Sequence, residues 1–219
     1  LLSILQTILA KHLTKELMSI SKKLQSMVWN MLAINEEFYS VQGEGKNTGV
    51  LQYFVRTQGC AVGCYFCDTK YTWKASEATV KEEDIVKRAK QHNAKWVCIT
   101  GGEPLEQDLT KLVTLLKQNG IKTQLETSGM YYSPIVKEMD WVCCSPKMLY
   151  SKKKYDDRIT DDTHEVKCVV TNEKELKFYV GYFIHFKGVK TFQPVDSDIT
   201  NISKMILKHN LTDWNIMLQ

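Results

Sequence analysis

From Met31 onward the chain alternates short apolar, β-rich runs with segments carrying a helical stripe, and this alternation decides the fold class. Leu51 to Thr57 reads as a strand, and Thr79 to His92 as a helix with Thr79 as N-cap and Glu82 closing a capping box. Lys95 to Thr100 reads as a buried strand, because Trp96, Val97, Cys98 and Ile99 are consecutive and apolar. Asp108 to Asn119 is expected to form a helix stopped by Gly120, with strand character resuming at Ile121 to Thr127. Trp141 to Cys144 and Glu165 to Val170 are further buried strands, and Asn172 to Tyr179 starts another helix. Lys190 to Phe192, a helix near Ile199 to His209 and a strand at Trp214 to Leu218 complete the series. The expected class is therefore α/β, a mainly parallel sheet with outer helices, built as an open wound sheet or an incomplete (β/α) barrel. In either architecture ligands sit at the carboxyl ends of the strands, so residues there carry functional weight.

Composition narrows the function. The 219 residues are 43% hydrophobic, enough to build a core and too apolar for a disordered chain. The net charge of +4 falls short of a dedicated nucleic-acid binder. Residues 1–30 hold four lysines and one glutamate, so the remaining body is nearly neutral. In that first segment Leu5, Leu9, Leu13, Leu17, Ile20 and Leu24 recur at helical spacing, which predicts an amphipathic extension. Its apolar start is too short and too interrupted to span a membrane, and no basic region precedes it as in a secretory signal. Lys152, Lys153 and Lys154, just before Asp156 and Asp157, read as a solvated loop.

Seven cysteines, an odd number, do not suggest a disulfide framework. Cys60, Cys64 and Cys67 form a CxxxCxxC loop directly after the Leu51 strand, where Gly59 and Gly63 relax the backbone and three thiolates can converge on one metal centre. A structural zinc site is the simpler alternative, but zinc in such sites takes four protein ligands. Three ligands without a fourth fit a cubic iron–sulfur cluster with one open iron better. Cys98, Cys143, Cys144 and Cys168 lie in apolar strands and are expected to be inert core thiols. Thr100-Gly101-Gly102-Glu103-Pro104 ends the Lys95 strand; its glycines let the backbone approach a ligand and its carboxylate can accept from an ammonium, although taken alone the segment could be a simple turn.

Together these motifs resemble the radical S-adenosylmethionine (SAM) superfamily, and within it the segments Ile34 to Gly45, Arg56 to Cys60, Cys67 to Trp73, Glu126 to Gly129, Ser145 to Lys147 and Gln193-Pro194 resemble the 7-carboxy-7-deazaguanine synthase family. The resemblance runs from about Ile34 to the end, with residues 31–219 as the catalytic domain and an incomplete barrel of the radical SAM type. It implies conversion of 6-carboxy-5,6,7,8-tetrahydropterin to 7-carboxy-7-deazaguanine with loss of ammonia in queuosine biosynthesis. Cys60, Cys64 and Cys67 would hold a 4Fe–4S cluster, and SAM would be used catalytically as the source of a 5′-deoxyadenosyl radical that takes the C6 hydrogen. Thr69 would contact magnesium. Phe66, Gly102, Glu103, Ser128, Ser145, Pro146, Lys147, Gln193, Pro194, Val195 and Asp196 would contact SAM. Val41, Gln42, Gly43, Glu44, Arg56 and Thr100 would meet the substrate, with Arg56 gripping its carboxylate and Gln42 and Glu44 its guanidine-like edge. A flavodoxin-type reductant, a homodimer and a cytoplasmic setting are further implications. The family pattern also continues past Gln219 with a Thr-His-Lys stretch and a short tail over the substrate. Rival readings are a radical SAM activase of a glycyl-radical enzyme, against which the QGEG segment and Arg56 speak, and a non-catalytic metal-binding module.

Overall fold

The computed structural model describes residues 31–195 and 199–217, so the expected amphipathic helix of residues 1–30 lies outside the described residues. Ten strands are described: β1 (Met31–Leu32), β2 (Ile34–Val41), β3 (Leu51–Thr57), β4 (Val80–Lys81), β5 (Trp96–Gly101), β6 (Lys122–Thr127), β7 (Trp141–Cys144), β8 (Glu165–Val170), β9 (Val189–Pro194) and β10 (Trp214–Ile216). Helices α1 (Glu82–Gln91), α2 (Thr110–Gln118), α3 (Arg158–Asp161), α4 (Glu173–Tyr182) and α5 (Ile199–Lys208) alternate with them. Eight strands form one sheet in the order β10-β9-β8-β7-β6-β5-β3-β2. Every pairing from β3 to β10 is parallel, while β2 pairs antiparallel with β3 at one edge. The sheet does not close on itself, because β2 and β10 are its two unpaired ends. This is the incomplete (β/α) barrel, one of the two architectures the alternating sequence left open and the one the family resemblance implies.

Strand alternation gives the sheet two chemically different faces. Val97 and Ile99 in β5, Leu125 in β6, Val142 and Cys144 in β7, Val166, Cys168 and Val170 in β8, and Phe192 in β9 join one hydrophobic core. Against that core lie Ile85, Val86 and Ala89 of α1, Leu112, Val113 and Leu116 of α2, and Leu176 and Tyr179 of α4. The residues in between point to the concave side, where Gln52, Gln124, Glu165, Lys167, Thr191 and Gln193 are buried together. A packed barrel fills its interior with branched apolar side chains. This one lines it with amides and charges.

Most element boundaries agree with the sequence pattern to within one or two residues, including Asn172, whose side chain accepts from the Glu175 amide as the N-cap of α4. The expected capping box at Thr79 does not form. Val80–Lys81 pairs antiparallel with Met31–Leu32, and the Thr79 amide donates to the Leu32 carbonyl. That pairing holds residues 79–81 extended, so the helix starts only at Glu82, with Lys81 as an N-cap lacking a side-chain bond. No helix among the described residues is long and apolar enough to cross a membrane.

Buried tyrosines give the fold a defined alkaline limit. Burial, reinforced by Glu37, pushes the Tyr53 phenol up to about 12, and burial likewise raises Tyr150, Tyr155 and Tyr179. A phenol whose folded pKa is raised stabilises the fold fully below its unfolded value of about 10 and loses that contribution as pH rises through the folded value. The urea midpoint should therefore begin to decline above about pH 8.5, where the buried thiols Cys98, Cys143, Cys144 and Cys168 lose their contribution, and fall further from about pH 10 toward pH 12, with Tyr53→Phe making that second part shallower; equilibrium unfolding followed by circular dichroism across that range checks it.

Candidate active site

The strand ends open into a single cleft of about 430 Å³. One wall is the loop after β3, from which Cys60, Cys64, Phe66, Cys67, Thr69 and Trp73 line the space. The opposite side is the turn between β2 and β3, which contributes Val41, Gln42, Gly43 and Glu44. Between them the parallel strands supply Arg56, Thr100, Gly101, Gly102, Ser128, Ser145, Lys147 and Gln193.

Backbone contacts fix the cysteine loop. The Gly102 amide donates to the Thr57 carbonyl at 3.0 Å and the Glu103 amide to the Gly59 carbonyl at 2.9 Å, so the end of β5 is laced to the end of β3. There is no space for a side chain at this crossing: a Cβ on Gly102 would lie 1.9 Å from the Gly59 carbonyl oxygen. Gly101 sits at φ +126 against Thr57, which only glycine tolerates at low cost. The Glu106 carboxylate accepts from the Ala61 amide at 2.8 Å and steadies the first turn of the loop. Phe66 packs edge-on to Tyr65 and Tyr150, with the Lys147 ammonium 5.9 Å from its ring centre.

Glu103 turns inward and is buried. Its carboxylate accepts from the Leu105 amide at 3.1 Å, the Thr127 hydroxyl at 2.7 Å, the Ser128 amide at 2.8 Å and the Ser128 hydroxyl. It therefore ties the ends of β5 and β6 together and does not itself line the cleft. Pro146, whose carbonyl accepts from Tyr179, lies off the lining, as do Pro194 and Val195. Asp196 lies outside the described residues.

The substrate-side candidates are held by a polar network. Gln42 is buried, donates to the Cys98 sulfur at 3.8 Å and accepts from the Glu44 amide at 3.0 Å. Glu44 pairs with Lys167 and accepts from the Gln193 amide group at 3.1 Å. Gly45, at φ +70, brings the turn so close to β8 that a Cβ would meet the Glu165 carboxylate at 2.8 Å. Arg56 donates from Nε to Glu36 at 2.6 Å, which leaves the rest of its guanidinium available to the cleft.

The sequence pattern did not single out Glu126, Lys167, Phe38, Phe54 or Trp73, which also line the cleft. For Lys167 the signal was present as a charge between Val166 and Cys168 in a largely apolar strand, whereas Glu126 sits in the polar strand Lys122–Thr127 and was marked only by the segment it opens. The four expected core thiols are all buried, and Cys98 also borders the cleft.

Cys60, Cys64 and Cys67 offer three thiols to the same cleft. Among the described residues no group of three or more His, Cys, Asp or Glu is placed to hold a metal ion. A cubane bound through three thiolates, by contrast, uses a separate iron for each of them. Burial pushes the Cys60 thiol up to about 11 and raises Cys64, so metal binding there must displace protons and supply the counter-charge.

Residues 54–184 match the model of the Radical SAM superfamily. The 7-carboxy-7-deazaguanine synthase of Flavobacterium psychrophilum is 37% identical over 166 residues, covering 76% of this chain and 74% of that enzyme. The chain belongs to the 7-carboxy-7-deazaguanine synthase family. A synthase of this family from Buchnera aphidicola is 30% identical over 85% of the chain and 94% of its own length. The Escherichia coli K12 synthase is 41% identical over 52% of this chain and 60% of its own length. A crystal structure of QueE from Escherichia coli superposes with a TM-score of 0.74 at 30% identity, covering 86% of this chain and 94% of that one. As a member of the 7-carboxy-7-deazaguanine synthase family the protein is a radical SAM lyase of 7-deazapurine biosynthesis, and that membership implies a 4Fe–4S cluster and SAM.

Gly102→Ala should destabilise the protein by about 1–3 kcal/mol, because the new methyl must push the Gly59 carbonyl away. Gly181→Ala, inside α4 with no atom near its Cβ position, should stabilise it by about 0.5–1 kcal/mol. Urea unfolding of the two variants side by side checks both signs.

Proposed function

We propose that the chain converts 6-carboxy-5,6,7,8-tetrahydropterin to 7-carboxy-7-deazaguanine with loss of ammonia, using SAM catalytically. The observation that carries this reading is that one cleft joins the three cysteines of the loop to Gln42 and Glu44 on its other wall and to Arg56 between them. Bound at Cys60, Cys64 and Cys67, the cluster would supply the electron that turns SAM into a source of the 5′-deoxyadenosyl radical.

The remaining roles belong to this chain's own groups. The backbone of Gly101 and Gly102 offers a close approach for the methionyl part of SAM, and Glu103 holds that turn in place from behind. Ser128, Ser145 and Lys147 present hydroxyls and an ammonium to the same region. Lys147 donates to the Ser145 carbonyl at 2.9 Å, and burial pushes its pKa down from the usual lysine range. Phe66 supplies an aromatic edge for the adenine side, which Gln193 and Pro194 at the end of β9 and Val195 after it would complete, with Asp196 assigned there from the sequence resemblance.

On the substrate side, Arg56 would grip the carboxylate and Gln42 and Glu44 the guanidine-like edge, with Val41, Gly43 and Thr100 shaping the wall between. Thr69 would meet a magnesium ion together with substrate oxygens and water, a ligand set this cation accepts. A flavodoxin-class reductant, a homodimer and a cytoplasmic setting complete the proposal. The buried free thiols Cys98, Cys143, Cys144 and Cys168 suit a reducing compartment.

Anaerobic reconstitution should load about four irons and four sulfides per chain and give SAM-dependent, magnesium-dependent turnover of the carboxypterin, both lost in Cys64→Ala. Protein that takes up one zinc and leaves SAM intact would refute the enzyme reading. SAM cleavage without pterin conversion would favour a glycyl-radical activase. Arg56→Gln should retain the cluster and lower kcat/KM for the carboxypterin by about 10- to 100-fold, measured by steady-state kinetics.

A further inference from the structure

Lys167 has no part in the roles assigned above, yet it stands on the concave face of β8 with only 5% of its surface exposed. Its ammonium donates to Glu44 and, at 3.2 Å, to Glu126. The outer oxygens of the same carboxylates are also occupied: Gln193 donates to Glu44 at 3.1 Å and Gln124 to Glu126 at 2.7 Å. Gln124 is oriented in turn, because its carbonyl oxygen accepts from Asn47 at 2.7 Å and Gln52 at 2.9 Å. The network thus has a direction, with donors arriving from the protein side and carboxylate oxygens ending at the cleft.

An ammonium has donors and no acceptor, so both glutamates face it as acceptors. Burial alone would push the Glu44 carboxyl toward its neutral form, but the Lys167 charge overturns this and leaves its pKa lowered. Each carboxylate offers about four acceptor directions; the amide and ammonium donors occupy two on each, and the Cys143 thiol takes a third on Glu126. Acceptor directions on both carboxylates stay open at the cleft, which suits a ligand edge made of N–H donors.

We propose that Lys167 is a positioning residue for substrate binding: it holds Glu44 and Glu126 side by side as carboxylates that accept from the N–H donor edge of the pterin. This rests on the substrate assignment above. The test is anaerobic equilibrium dialysis of reconstituted protein with 6-carboxytetrahydropterin, in the absence of reductant, and separately with SAM. Lys167→Gln should weaken carboxypterin binding at least about tenfold, raise KM more than it lowers kcat, and leave SAM affinity unchanged, while Lys167→Arg retains most of the binding. Carboxypterin affinity in Lys167→Gln equal to that of the unmodified protein overturns the inference. Should Lys167→Gln fail to fold, Glu44→Gln and the double variant Glu44→Gln/Lys167→Gln decide. A further loss of about tenfold in the double variant supports the role through Glu126, and equal affinity overturns it. Unmodified protein that binds SAM but no carboxypterin overturns the substrate assignment, and the inference with it.

Discussion

A half-barrel whose concave face is polar is stable only if nearly every group on that face finds a partner, since a buried unpaired charge costs several kcal/mol. Here the requirement is met by amides, carboxylates and one ammonium bonding across strands that are distant in sequence. Gln52, Gln124, Glu126, Lys167, Glu44 and Gln193 form one connected set. The apolar work is done on the other face, where α1, α2 and α4 cover the sheet. Stability and recognition are thus assigned to opposite sides of the same strands.

The cysteine loop solves a different problem. A loop that carries reactive thiols needs freedom at its glycines and rigidity at its base. The Gly102 and Glu103 amides, bonded to the ends of β3 and its following turn, provide the base. Glu103 extends the tie to β6 through Thr127 and Ser128. The carboxylate in the GGEP segment therefore acts as a brace between strand ends, and the glycines before it form the surface turned to the cleft.

Strand and helix order was legible in the sequence because apolar periodicity reflects burial on one face, and that face obeys the pattern. What the pattern hid were events that depend on partners. Thr79 lost its cap role to a pairing with Leu32, more than 40 positions away. The strand Ile34–Val41 reads as polar because it lies at the sheet edge. Cys60, Cys64, Cys67, Arg56, Gln42 and Glu44 were visible as motifs, because close spacing or glycine flanks mark them locally. Lys167 was not assigned a role, and Glu126 was visible only as the first residue of the Glu126 to Gly129 segment, since the meaning of both comes from the side chain opposite.

The hydrogen bond between Glu44 and Gln193 joins residues 149 positions apart, and the cleft draws on the chain from Phe38 to Gln193. A part of the sheet without β9 lacks Gln193 and its contact with Glu44, so the cleft is complete only once β9 is paired beside β8. The turn at Val41 to Glu44 and the cysteine loop both precede β5 to β9 in the chain, so the two walls are synthesised before the strands that join them. The two edges of the sheet are not equivalent in this respect: β2 carries Phe38 and Val41 into the cleft, whereas β10 lines none of it and packs Trp214 into the core.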